Sequence, residues 1–316
     1  MDKHISVLLK ETIDSLSIKP DGIYVDLTLG RAGHSSEILK RLTSGKLIGF
    51  DKDEEAIEFS KQRLAKISTN FEIIRDDFRN MKSVLESKGI NKVDGIIADL
   101  GVSSPQFDDE SRGFSYHGNS RLDMRMDKRQ TLDAYQVVNT YSLSDLTRIF
   151  REYGEDKFSY QIAKNICKAR EVKPIETTEE LVEIIKASKP MKELAKKGHP
   201  AKQIFQALRI EVNDELGALK AVLKDALDML NVDGIFSIIT FHSLEDRIVK
   251  NAFQEVSKIE GNRLNIYTLP SEEDKPKFEL VNNKVIIASD EELEFNPRSK
   301  SAKLRSIRRV RQWKIS

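Results

Sequence analysis

One cysteine, Cys167, stands alone in 316 residues, so neither a disulfide framework nor a cysteine zinc site can form within one chain. No apolar run approaches the roughly twenty residues that a membrane-spanning helix needs. The opening stretch MDKHISVLLKE lacks the pattern of a secretory leader, and the expected setting is a reducing cytoplasm. Three signatures are missing as well: the dinucleotide fingerprint G-x-G-x-x-G, the Lys-Ser/Thr of a phosphate-binding P-loop, and the nucleophile elbow G-x-S-x-G. No internal repeat or low-complexity linker interrupts the chain. Net charge is only +1, which hides an uneven distribution.

What is present is a strand, a turn of small residues and a helix. Around YVDLTLGRAGHSSEIL, Ile23 to Leu29 carry β-branched and aromatic residues, Gly30 and Gly33 punctuate, and Ile38, Leu39 and Leu42 resume at helical spacing. Such a turn lets a ligand approach the main chain closely; a plain tight turn is the competing reading. The next apolar run, KLIGFD, ends in Asp51, about twenty residues beyond the glycines. An acid there commonly accepts hydrogen bonds from the ribose hydroxyls of a nucleoside cofactor, whereas capping of the following helix is the bland alternative.

Further strands are expected at 71–75, 93–99 and 234–241, each apolar and mostly followed by helical pattern, which is a parallel doubly wound sheet. Between Asp99 and Gly234 the segments TLDAYQVVNT, SLSDLTRIFREY, EDKFSYQIAKNICKAREV and TTEELVEIIKAS are amphipathic helices, and PAKQIFQALRIEVNDELGALKAVLKDALDML is one long returning helix. The expectation is a first part of one domain over 1–110, an inserted helical domain over 111–205, and the second part with a basic tail over 206–316. That tail, RSKSAKLRSIRRVRQWK, carries no acid, and with Trp313 it could lie on a phosphate backbone. It could equally be a closing strand packed through Leu304, Ile307 and Val310.

With a cofactor over the carboxyl ends of the strands, chemistry belongs where the fourth strand ends. Asp99 ends it, and Ser103, Ser104, Pro105, Gln106 and Phe107 follow. This loop loosely resembles the Ser/Asp-Pro-Pro-aromatic loop of enzymes that methylate exocyclic amines of DNA bases. Such an amine shares its lone pair with the ring, so acceptors on its N–H bonds must localise that density, while an aromatic stacks on the extruded base. An ordinary surface turn is the alternative.

The blocks HISVLLKE, TLGRAGHS, DLGVSSPQFD, RGFSY, LDMRMD, YGEDKFSYQIA, HPAKQIFQALRIEVNDEL, FHSLEDRIVK and NPRSKSAKLR resemble, in order and over nearly the whole chain, the bacterial ribosomal small-subunit RNA cytosine-N4 methyltransferase family. The resemblance implies a Rossmann-like class I methyltransferase domain, an α/β fold, with an inserted all-helical domain. It implies transfer of methyl from S-adenosyl-L-methionine to N4 of a cytosine in the decoding region of 16S rRNA, within the small ribosomal subunit. Carried over by position, it sets Gly30, Ala32, Gly33, His34, Asp51, Phe78, Asp99 and Gln106 at the cofactor. The catalytic candidates are Asp99, Ser103 and Ser104; those on the substrate side are Phe107, Arg121, Arg125, His242 and Arg305. Arg31 and Asn119 stand where members often carry Gly and an acid. Transfer to nitrogen needs neither Lewis acid nor activated water, so no metal is expected, and no membrane partner. In FHSLEDR the trio His242, Ser243 and Asp246 mimics a hydrolase triad, but adjacent His and Ser point differently at a strand end. Two other classes were weighed: a nicotinamide-dependent dehydrogenase, which lacks its fingerprint here, and a non-catalytic ribosome-assembly factor, which only turnover would remove.

Overall fold

A computed structural model describes residues 6–101, 107, 109–258 and 275–311. The chain forms two compact units, one of Met1–Gly101 with Ala218–Ser316, the other of Val102–Gly217. The sequence reading had set the return to the first unit at 206; residues 206–217 cluster with the second.

The first unit is built on strands β1 (Ile23–Asp26), β2 (Lys46–Asp51), β3 (Phe71–Arg75), β4 (Val93–Asp99), β5 (Leu230–Thr240), β6 (Phe278–Leu280), β7 (Ile286–Ile287) and β8 (Lys303–Arg309). Their order is β3-β2-β1-β4-β5-β8-β6, with β7 also on β8. The first five are mutually parallel, and β8 runs antiparallel to β5. Strand order reverses between β1 and β4, so their carboxyl ends open the crevice where ligands of such sheets bind. Val25, Ile48, Phe50, Ile96, Phe236 and Ile238 are almost wholly buried in the core of this sheet. Continuous apolar runs in β2, β4 and β5 follow from burial on both faces. Among the described residues no helix is long and apolar enough to cross a membrane.

Three expectations shift. Strand β1 stops at Asp26 instead of reaching residue 29, because the Asp26 carboxylate accepts the N–H of Thr28 at 3.0 Å and turns the chain. Strand β5 starts four residues early, at Leu230 opposite Val93, and its register then shifts so that Ile235 faces Gly95. The middle of the basic C-terminal segment, residues 303–309, is strand β8, with Leu304 and Ile307 fully buried and Arg309 at 3% exposure. Residues 303–309 therefore close the sheet and are not a solvated tail; Trp313 lies outside the described residues.

In the second unit the expected helices form at Ala134–Thr140, Leu143–Glu152, Ser159–Val172 and Thr178–Ala187. Leu146, Ile149, Phe150, Ile162, Leu181 and Leu208 fill their shared core. Thr177 and Glu180 form a reciprocal capping box. Thr177→Ala should cost about 1 kcal/mol, read as a lowered denaturant midpoint; an unchanged midpoint would show that the cap contributes nothing. The expected single long helix is two, Lys202–Asn213 and Glu215–Met229. Asp214 between them takes a left-handed conformation at φ 47, and its carboxylate lies where a side chain at Gly217 would sit. Asp tolerates that conformation and the missing Cβ of Gly217 makes room.

Candidate active site

The crevice is lined by acids that the strand ends carry. Asp26, at the end of β1, is 2% exposed and accepts the Ser35 hydroxyl at 2.7 Å and the Thr28 N–H at 3.0 Å. Burial pushes its carboxyl up to about 6 against those hydrogen bonds, with help from the charge of Asp51. Asp51, at the end of β2, accepts the N–H of Gly30 at 2.8 Å on one oxygen and that of Asp53 at 2.8 Å on the other. It too is pushed up to about 6, by burial first. Helix capping falls to Asp53, which accepts the N–H of Glu55.

Asp99 ends β4. Its main-chain N–H donates to the Thr28 hydroxyl at 2.6 Å. Its Oδ1 is buried with no hydrogen-bond partner, and Oδ2 lies 3.9 Å from Nδ1 of His34. Burial, then the charges of Asp26 and Glu245, push the carboxyl up to about 8. Glu245 is 2% exposed and accepts the N–H groups of Phe241 at 2.8 Å and His242 at 3.3 Å. Among the described residues no Lys or Arg pairs with Asp26, Asp51 or Asp99. These three acids stand together in the crevice with no Lys or Arg among the described residues to match them, which costs stability. A ligand bearing positive charge and vicinal hydroxyls would relieve that cost.

The turn is held in place around this cluster. Gly30 and Ala32 take positive φ, 49 and 56, while Arg31 does not, so the position where Arg replaces a common Gly needs no glycine. Arg31 instead packs its guanidinium 4.6 Å from the Phe59 ring centre. The Gly30 carbonyl accepts the Ser60 hydroxyl at 2.6 Å. At Gly33 any Cβ would stand 1.7 Å from Oγ of Ser6, so close packing of the chain fixes that glycine. His34 is buried and its Nε2 bonds the Val7 carbonyl at 3.0 Å. Phe78 opens a short helical turn and is partly buried against the sheet core.

Other expected site residues sit elsewhere or are engaged. Ser103, Ser104 and Gln106 lie outside the described residues. Phe107 is 36% exposed. His242 caps the helix Ser243–Val256, and its buried Nε2 makes no hydrogen bond although Oε1 of Glu245 is 3.1 Å away. The triad mimic is thus a capping box: Asp246 is gripped by Arg305, at 2.8 and 3.3 Å, and by Lys303 at 3.2 Å. In the helical unit, Arg125 spends four hydrogen bonds on Asp123 and the carbonyls of Lys128 and Gln130. Arg121, 63% exposed, pairs with Asp133 at 2.9 Å. Arg209 is held by both oxygens of Glu215. The helical and sheet acids missed by the sequence reading are Asp26 and Glu245; a lone acid inside an apolar strand, and the x-x-Glu spacing after His242, were the available signals.

A mostly parallel sheet with this strand order, an antiparallel strand beside β5 and strand-end acids around a glycine turn define a Rossmann-like methyltransferase domain. The family model described as the MraW methylase family matches residues 1–310, and the chain belongs to that family. It is similar to a candidate rRNA methylase from Clostridium thermocellum (11% identity, covering 97% of this chain and 100% of that one, TM-score 0.46). It is also similar to an rRNA methylase from Streptococcus thermophilus (13%, 98% and 99%, TM-score 0.41). A third likeness is to a candidate methyltransferase from Streptococcus mutans solved with SAH (13%, 97% and 99%, TM-score 0.40). These likenesses are distant, and membership rests on the family match. The cofactor is S-adenosylmethionine, and the unmatched acids fit it: its sulfonium and ammonium charges suit a crevice with an orphaned carboxylate oxygen at Asp99.

Asp51→Ala should weaken S-adenosylmethionine binding about 10- to 100-fold, the worth of hydrogen bonds to a charged group. Titration calorimetry checks this, and an unchanged affinity would remove Asp51 from the cofactor site.

Proposed function

We propose that the protein methylates N4 of one cytosine in the decoding region of 16S rRNA, on the small ribosomal subunit. The observation that carries the reading is the carboxylate of Asp99, buried at the end of β4 with Oδ1 unpartnered. When bound, S-adenosylmethionine supplies an electrophilic methyl group. Asp51 would hold the ribose hydroxyls, Gly30, Ala32, Gly33 and His34 would form the turn that receives the cofactor, and Phe78 would take its adenine. Asp99 accepts an N–H of the exocyclic amine and so directs the nitrogen lone pair out of the ring. Its raised basicity, about 8, suits it to take up the proton that the amine releases. Ser103, Ser104 and Gln106, which follow Asp99 in the sequence, are proposed to complete the set of acceptors, and Phe107 to stack on the extruded base. Arg121, Arg125, His242 and Arg305 act on the substrate side through the elements they brace, since each is engaged within the protein.

Incubating the protein with methyl-labelled S-adenosylmethionine and subunits lacking the modification tests this reading. Label in 16S rRNA supports it. Cofactor binding with no transfer to subunits or to free rRNA would leave a non-catalytic assembly role instead.

A further inference from the structure

On the helical unit an aromatic ladder climbs from the core to the surface. Phe205, 3% exposed, meets the Tyr116 ring edge-on at 5.9 Å. Tyr116 stacks on His199 at 4.4 Å and 12°, and His117, exposed, meets the His199 ring edge-on at 5.2 Å. The two loops that bring these rings together turn at Gly118 (φ 88) and Gly198 (φ 105). A Cβ at Gly198 would meet nothing within 4 Å, so the space over that loop is open. Burial lowers the pKa of His199, and the charges of His117 and Lys186 lower it further.

The segment bearing His199 is rich in positive charge, while the Glu110 carboxylate stands beside the Gly118 turn. Residues 186–202 contain six Lys and one Glu. That Glu193 is taken by Lys196 at 2.7 Å, and Lys189 is taken by Asp156. Lys192, Lys197 and Lys202 are exposed and pair with no acid among the described residues. Aromatic faces beside unpaired cations suit a single-stranded nucleic acid, whose bases stack while its phosphates meet lysines. A wholly acidic polypeptide would use the charge and leave the stack idle.

We propose that this surface, formed by Tyr116, His117, His199, Lys192, Lys197 and Lys202, is a second RNA contact, taking one unpaired nucleobase and its flanking phosphates outside the methyl-transfer crevice. The inference rests on rRNA being the substrate.

Binding of a labelled single-stranded RNA 12-mer to the full-length protein, measured from 50 to 200 mM salt, tests it without turnover. The variant K192E/K197E/K202E should bind at least tenfold more weakly and flatten the log–log salt slope by about 2, three contacts at about 0.7 each. His199→Leu should weaken binding about fivefold or more with the slope unchanged, as loss of stacking predicts. Both should keep the wild-type affinity for S-adenosylmethionine, which shows that they are folded. Wild-type RNA affinity and slope in the triple variant would overturn the proposal, and so would poly-glutamate competing better than RNA on the wild type. Failure of the wild type to methylate any rRNA would sink the substrate reading and leave these binding results to stand on their own.

Discussion

Asp99→Asn should slow methyl transfer sharply and, at the same time, make the protein more stable at neutral pH. The loss of turnover follows from removing the proposed acceptor and base at the end of β4, and about 100-fold or more in kcat is expected. The gain follows from linkage. The carboxyl of Asp99 is raised from 3.8 to about 8 in the folded protein, so the folded state holds the proton more tightly than the unfolded chain. Its contribution is therefore fully present below about pH 4 and is lost as pH rises through about 8. Because 28% of the side chain is accessible, solvent screens part of the effect, and about 1–3 kcal/mol is the size expected above pH 8. Asparagine cannot ionise and escapes that cost. Calorimetric melting at pH 4 and pH 8.5 checks the sign: the two proteins should melt together at the lower pH and the variant later at the higher. A variant that melts earlier at pH 8.5 would mean that the ionised carboxylate stabilises the fold. Asp26 and Asp51 act in the same direction over a narrower window, from 3.8 to about 6.

The second large effect concerns Lys189 and Asp156 in the helical unit. Their ion pair is 2.6 Å long with side chains 6% and 1% exposed, and the ammonium also donates to the Pro200 carbonyl at 2.7 Å. Asp156 further accepts the N–H of Phe158 at 2.8 Å. Lys189→Ala leaves a buried carboxylate without its partner and should cost about 3–5 kcal/mol. Lys189→Met together with Asp156→Leu removes both charges and should recover much of that loss. Denaturant melts of the two variants decide it; equal losses would show that packing, not the uncompensated charge, sets the cost. Since Lys189 anchors the loop bearing His199, the single variant should also bind RNA more weakly.

How far these features could be read from the chain alone depended on whether the local pattern had one physical meaning. Runs such as KLIGFD and VDGIIAD are apolar, β-branched and bounded by charge, and they form strands at the expected residues, 46–51 and 93–99. The cap of TTEELVEIIKAS was equally legible, because Thr177 stands just ahead of apolar periodicity, whereas the cap expected for EDKFSYQIAKNICKAREV is absent: that helix starts after Phe158 with no side-chain cap. The basic run near the C-terminus was ambiguous, since strand β8 alternates buried Leu304 and Ser306 with the more exposed Lys303 and Arg305, and charge counting misses alternation. The break at Asp214 depended on room beside Gly217, which only the folded chain reveals. Asp26 was missed because strand pattern treats it as an interruption, although its carboxylate turns the chain and raises the basicity of Asp99. Arg125 and Arg305 resembled phosphate grips because sequence lists a cation without the acid it meets, Asp123 in one case and Asp246 in the other.

The central claim is the acceptor atom. After reaction of subunits with methyl-labelled S-adenosylmethionine, nuclease digestion and nucleoside mass spectrometry identify the labelled base and its position. N4-methylcytidine is expected at a single position in the decoding region, strongly diminished with Asp99→Asn. Label at cytosine C5, on another base, or undiminished in the variant would contradict it.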